Sequence, residues 1–207
     1  MAITTYAELK TAVANWLNRG DLTSIIPDFI TLAEADINRT LRVSAQMKRS
    51  TATLDSQFSD LPTDFGQMDH VQLNDTVPYA LKYVDPAELD RQREAFFSVP
   101  GKPREYTIIG STIEVAPDPD DEYEVEIVYY TRGVVALSGT NPSNWLLEKH
   151  PDAYLYGALL HSAPYLHDDE RAATWLNAYR GVMAGVVSEH DKMRFPAKLN
   201  RQVQVLS

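Results

Sequence analysis

The chain has 207 residues, 44% of them hydrophobic and 23% charged, and its 29 acidic against 19 basic side chains give a formal net charge of −10. That is the composition of an ordinary folded protein, long enough to bury a sizeable core as one domain with a lobe or as two small ones. With no cysteine, disulfides, thiolate catalysis and cysteine-based zinc sites are excluded, and with neither a leader-like start nor an apolar run near the ~20 residues that span a bilayer the expectation is a cytoplasmic product with no membrane partner.

Thr5 and Glu8 form a capping-box pair ahead of Leu9, Val13, Trp16 and Leu17. This predicts a helix from about Tyr6 to Asn18, which Gly20 ends. A second amphipathic helix starts near Ser24 to Pro27 and carries Phe29, Ile30, Ala33, Ile37 and Leu41 to about Arg42.

From Met47 the reading changes to short strands and turns. Ser50 to Leu54 is a candidate strand, Leu61 to Phe65 a loop, and Met68 to Leu73 a strand that ends at the Asn74-Asp75 turn, with Leu81 to Val84 pairing back across it. Pro86 opens a short helix over Ala87 to Phe97 whose apolar contacts are Leu89, Phe96 and Phe97. Glu105 to Ile109 and Thr112 to Val115, joined by Gly110-Ser111, form the clearest hairpin. The acidic turn Pro117-Asp118-Pro119-Asp120-Asp121 precedes Tyr123 to Thr131, where Tyr123, Val125, Ile127 and Tyr129 alternate with Glu124, Glu126, Val128 and Tyr130 as in a half-buried antiparallel strand.

The next segment, from Asn141 to Tyr179, is rich in aromatics and poor in catalytic residue types. A helix from about His150 to Leu166, with Pro151 in its first turn, places Tyr154, Leu155, Ala158, Leu159, Ala163 and Leu166 on one stripe. Pro164 and the run His167-Asp168-Asp169-Glu170 mark a stop and a new start, with Asp168 or Asp169 as cap. Trp175, Leu176, Tyr179, Val182, Met183 and Val186 continue a second stripe to about Glu189. This αα-hairpin has Trp145, Tyr154, Tyr156, Tyr165, Trp175 and Tyr179 as its packing aromatics.

Helices at both ends and strands between them predict an α+β protein. An antiparallel bundle of about four long helices (1–46 and 134–193) receives a small antiparallel β domain with one short helix (47–133), and an arm (194–207) follows. No internal repeat or low-complexity segment is present.

The string NWLLxxHPDAYLYGALLxxAPYLxDDERAxxWxxxY, with the N-terminal TYAELKTAVANWLNR and the central PREYTIIGSTIEVAPDP, resembles the head-to-tail adaptor (connector) proteins of tailed bacteriophages, in the same order from Thr5 to about Val187. The C-terminal block carries most of it, through Trp145, Pro151, Tyr154, Tyr156, Gly157, Pro164, Tyr165, Asp168, Asp169 and Trp175. The resemblance implies a structural virion protein at the head-tail junction. Its partners would be further copies in a dodecameric ring, a portal protein and tail or nozzle proteins, with DNA passing through the channel without specific binding. A small α+β ligand-binding or regulatory module is the alternative.

Charge is unevenly spread. Residues 51 to 131 carry 17 acidic and 5 basic side chains, a net of −12, while the stretches on either side are each +1. So acidic a segment repels nucleic acid. It is either a solvated surface or, under the adaptor reading, the wall of a DNA channel, with Asp118, Asp120, Asp121 and Glu122 as its loop residues.

The residue patterns supply no catalytic or cofactor site. The five histidines lack metal-motif spacing, and His161, His167, Asp168 and Asp169 straddle a helix stop where the acids serve as caps. The carboxylates of the Pro-rich turn lack EF-hand spacing, and no P-loop, G-x-S-x-G or dinucleotide fingerprint occurs. Tyr154 and Tyr156, two residues apart on a helix, point ~200° apart. Tyr156 is therefore the candidate for a subunit or tail interface, with Tyr130 as a second exposed aromatic.

After Asp191 the chain is basic and apolar. Lys192, Arg194, Lys198 and Arg201 stand among Phe195, Leu199, Val203 and Leu206, an apolar stripe at helical steps that Pro196 interrupts. Ordering such a segment costs roughly 1 to 2 kcal/mol per residue and each buried side chain returns roughly 1.5 to 3, a balance near zero, so it is either a frayed terminus or an arm that orders when it docks on a partner. By resemblance that partner is the portal.

Overall fold

The computed structural model describes residues 2–96, 99–167 and 169–194, with Phe96, Asp169 and Arg194 described in the backbone only. The chain forms two compact units. One comprises Met1–Gln46 with Gly133–Ser207, the other Met47–Arg132.

The first unit is helical. Helix α1 (Tyr6–Leu17) begins where the Thr5 hydroxyl accepts the Glu8 N–H and the Glu8 carboxylate accepts the Thr5 N–H, satisfying two donors that a helix start leaves unpaired. Asn18, left-handed at φ 53°, closes it. A 3-10 turn (Gly20–Leu22) leads to α2 (Ile26–Thr40), which buries Ile26, Phe29, Ile30, Ala33 and Ile37. The chain returns through residues 133–144 to α4 (Trp145–Lys149), a short helix set apart from the next by Pro151. Helix α5 (Pro151–Leu166) then buries eight of its residues. It runs through Pro164 and stops at His167, left-handed at φ 52°, so Pro164 lies in the last turn and the stop comes later. Helix α6 (Asp169–Arg194) extends five residues beyond the expected end near Glu189. Helices α1, α2, α4 and α6 all pack on α5. Gly157 lets them approach: a Cβ there would stand 3.0 Å from Ala33 Cβ on α2 and 3.3 Å from the Tyr179 ring on α6.

The second unit has two sheets around one apolar core. Strands β1 (Met47–Leu54), β8 (Tyr123–Thr131), β3 (Phe65–Asn74) and β4 (Tyr79–Ala80) are all antiparallel, in the order β1-β8-β3-β4. In the other, β2 (Phe58–Asp60), β7 (Thr112–Ala116) and β6 (Glu105–Ile109) are antiparallel, but β5 (Lys82–Tyr83) lies parallel to β6. The wholly antiparallel domain expected from the sequence is thus corrected to a mixed one. The 81–84 segment also does not simply pair back. Tyr79–Ala80 pairs with β3, buried Leu81 turns the chain, and β5 joins the other sheet. The reason is the helix α3 (Pro86–Phe96) between β5 and β6, since a crossover of this length returns the chain in the same direction whereas a tight turn reverses it. Leu89 of α3 is fully buried against Val84 and Ala116, while Phe97 lies outside the described residues. Strand β2 falls where the sequence suggested no element. At the bulge before Gln67, Gly66 lies so close to β8 that a Cβ would sit 2.9 Å from the Thr131 and Tyr130 carbonyl oxygens, leaving room for glycine alone.

Candidate interaction surfaces

The interior of the helical unit holds a polar network around Glu34, Tyr154 and Asn144. Glu34 stands on the stripe set by Ile30 and Ile37, one turn from each, and is therefore carried into the core, 7% exposed. Its carboxylate accepts the Leu137 N–H at 2.7 Å and, more weakly, the Tyr154 hydroxyl at 3.4 Å. Tyr154, fully buried, accepts in turn from Asn144 Nδ2 at 2.7 Å. The same Asn144 amide donates to the Val135 carbonyl at 2.8 Å, and its oxygen caps α4 by accepting the Leu147 N–H at 2.9 Å. One asparagine thus ties the returning segment to α4 and α5 and, through Tyr154, to α2.

Burial pushes the Glu34 carboxyl above the usual glutamate range, and its two hydrogen bonds oppose that only in part. A raised folded-state value means the protonated form is favoured on folding. The stabilisation is complete below the unfolded value and is lost as pH rises through the folded one. Glu34→Gln keeps an acceptor for Leu137 and removes the charge. The variant should therefore be more stable than the parent at pH 7 to 8, with the gain vanishing by about pH 4. Urea midpoints across that range check it, and a gain that grows toward acid would show that the charge is not the cost.

On the outer side, aromatics gather. Tyr156 of α5 stacks on Trp175 of α6, ring centres 6.2 Å apart, and meets Trp16 of α1 edge-on at 5.9 Å. Trp16 also touches Trp175 at 5.9 Å and remains 48% exposed. Tyr165 packs edge-on against Phe29 at 5.6 Å and is 51% exposed. Tyr154 and Tyr156 thus take opposite sides of α5, one in the core and one half-buried among three helices. Trp16 and Tyr165, expected from the sequence on the packing faces of their helices, are instead about half exposed. At the far end of α6, buried His190 meets the Ser44 hydroxyl at 3.0 Å and the Trp145 ring edge at 5.5 Å, and burial pushes its pKa down.

The strand unit carries the acidity. Between Met47 and Arg132 stand 17 acidic and 8 basic side chains, a net of −9, which leaves −1 for the rest of the chain. Asp118 is not the fully wet turn residue expected. It is half-buried, its carboxylate faces Arg93 at 3.6 Å and its carbonyl accepts the Gly101 N–H. Arg93 lies one turn beyond Leu89 on the buried side of α3, and it also binds Glu114 at 2.6 Å and the Val115 carbonyl at 3.0 Å. Asp120, Asp121 and Glu122 are exposed. Asp120 accepts the Tyr123 hydroxyl at 2.6 Å and pushes that phenol up to about 12. Tyr130 is half-buried on β8, paired with Met47 and Gln67.

Of the basic arm, Lys192 is exposed on the last turns of α6, and the backbone of Arg194 ends that helix. Phe195, Lys198, Leu199, Arg201, Val203 and Leu206 lie outside the described residues. His161 sits in α5 near Asp36 and Arg39, with its pKa lowered by burial, and His167 is the cap that ends α5, while Asp168 and the side chain of Asp169 lie outside the described residues. Among the described residues no group of three or more His, Cys, Asp or Glu side chains is placed to hold a metal ion, and no helix is long and apolar enough to cross a membrane. The described residues present an aromatic helical face and an acidic strand unit.

No curated protein matches the chain. A family model does, over residues 4–202, and its description is SU10 adaptor protein.

Proposed function

Because the chain belongs to the SU10 adaptor protein family, a family of bacteriophage adaptors, we propose that it is a structural part of the virion neck whose copies form a ring, dodecameric by the resemblance, between the portal and the tail. The observation that carries this reading is the family match over nearly the whole chain. The division of charge supports the rest. A near-neutral helical unit suits packing between copies, and a unit of net −9 suits the wall of a channel through which DNA moves, since phosphates are repelled along it and not gripped. In a ring the contacts are head-to-tail, so two different faces of one subunit must fit each other. Trp16, Tyr156 and Trp175 give one such face, for Tyr and Trp are favoured where a surface is covered by a partner. Tyr130, on the strand unit, is the candidate on the tail side. No residue is assigned a catalytic role, and no cofactor is required.

Mixing the protein with its cognate portal protein and imaging by electron microscopy tests the proposal. A second ring of density stacked coaxially on the portal is the expected result. Portal rings that stay bare at saturating protein would overturn it.

A further inference from the structure

We propose that the strand unit takes an added β-strand from a second copy of this chain, namely the residues after α6, with Val203 and Val205 seated in a recess beside β1. The recess holds about 390 Å³ and is floored by Leu54, Val71, Leu81, Val115, Val125 and Ile127, with Ser59, Asp60 and Thr63 at its rim. An apolar cavity of ~150 Å³ already accepts a benzene molecule, so this one has room for more than one aliphatic side chain.

Its origin is visible in β1. Ser50, Ala52 and Leu54 lie on the same face of that strand, Ser50 and Ala52 in register with buried Ile127 and Val125. Leu54 is buried, but Ala52, between it and Ser50 on this core-facing side, is exposed. Two small side chains there leave the layer between the sheets unfilled. β1 is also an edge: among the described residues it pairs with β8 and with no other strand. Edge strands are usually guarded by charge or proline. Here Lys48 and Arg49 stand only at the start, and Ser50-Thr51-Ala52-Thr53-Leu54 carries neither. An uncharged edge beside an open apolar recess is the arrangement that accepts an extended segment, with backbone pairing along the edge and alternate side chains in the recess.

The occupant follows from pattern and charge, and in place of the helical stripe and the portal partner expected above for this arm it gives residues 202–205 a neighbouring copy. Gln202-Val203-Gln204-Val205 alternates polar and β-branched residues, the period of a strand with one apolar face. No acidic residue occurs after Asp191, and Lys198 and Arg201 lead into this stretch, whereas the unit that would receive it has a net charge of −9. The inference rests on the ring reading in one respect, that copies meet. A tail on one copy and a recess on the next are two different faces, as a head-to-tail contact requires.

The chain contains no cysteine, so the test can be made by introducing single ones. Full-length Ala52→Cys and full-length Val205→Cys are mixed and mildly oxidised, and the disulfide-linked heterodimer is scored on a non-reducing gel. Ile109→Cys mixed with Val205→Cys serves as the control, Ile109 being exposed on the other sheet. Circular dichroism verifies that all three fold. Docking raises the local concentration of the two thiols toward the millimolar range, so the Ala52 pair should form about tenfold more heterodimer than the control. Equal yields, or none with Ala52, overturn the proposal. Rings on the portal without the link leave the ring reading standing and remove this one, and the link without rings does the reverse.

Discussion

Gly157→Leu should lower the stability of the helical unit by about 3 kcal/mol, the upper part of the range for overpacking a filled core. The space is closed by Ala33 Cβ at 3.0 Å and the Tyr179 ring at 3.3 Å. Neither can withdraw freely: Ala33 is fully buried on α2, and the Tyr179 hydroxyl is held by Asp36 at 3.0 Å. For a chain of this size a loss of that magnitude moves the melting temperature down by roughly 6 to 12 °C, read from the helical circular dichroism signal. Gly157→Ala is the informative companion. Alanine gains about 1 kcal/mol over glycine in a helix interior, while its Cβ meets Ala33 at a distance slightly too short. The two effects oppose each other, and the variant should stay within about 1 kcal/mol of the parent. A leucine variant as stable as the alanine one would mean that α5 does not lie this close to α2.

Asn144→Ala is expected to cost about 2 to 4 kcal/mol, through a different mechanism. The substitution removes the cap of α4, about 1 kcal/mol. It also leaves the Tyr154 hydroxyl without a donor at a site where Asn144 is 9% and Tyr154 0% exposed, and such a buried polar group costs about 1 to 3 kcal/mol, whereas Val135 is 68% exposed and its carbonyl can turn to water. Tyr154→Phe takes away a single hydroxyl and leaves Asn144 its other two bonds, so it should cost only about 1 kcal/mol. Urea unfolding of both variants separates the cases. Should they prove equal, the network would not be centred on Asn144.

The comparison of these two sites shows what was legible in the sequence. Trp145, Tyr154, Trp175 and Tyr179 could be assigned to packing because their spacing has the helical period, and the structure puts all four in or against the helical core. The N-terminal capping box was legible for the same reason, being a matter of residues three apart. Glu34 was legible in principle, since its steps from Ile30 and Ile37 place it on the buried stripe, but a lone acid in an otherwise apolar face reads as an exposed residue until its partners are known. Those partners, Leu137 and Tyr154, lie 103 and 120 residues away. Arg93 escaped notice likewise, because Glu114 and Asp118 are brought to it from the far side of a hairpin.

The strand unit divides along the same line. Alternation gave β8 and the β6–β7 hairpin, whose pairing is local. It did not give β2, which is three residues long, or the parallel pairing of β5 with β6, which depends on α3 carrying the chain over. Nor did it show that Ala52, on the inner face of β1, is left uncovered. Pattern determines which face of a strand turns inward; only the second sheet decides whether anything is there to meet it.

By itself, then, the sequence determined the order and type of the main elements, the concentration of acid between them and the likeness to phage adaptors, because each is written in spacing or composition along the chain. The tertiary structure alone decided which acids are buried, which aromatics stay exposed and where the core of the strand unit lies open. These depend on surfaces that meet across long separations in sequence, and burial is a property of the pair of surfaces and not of either one.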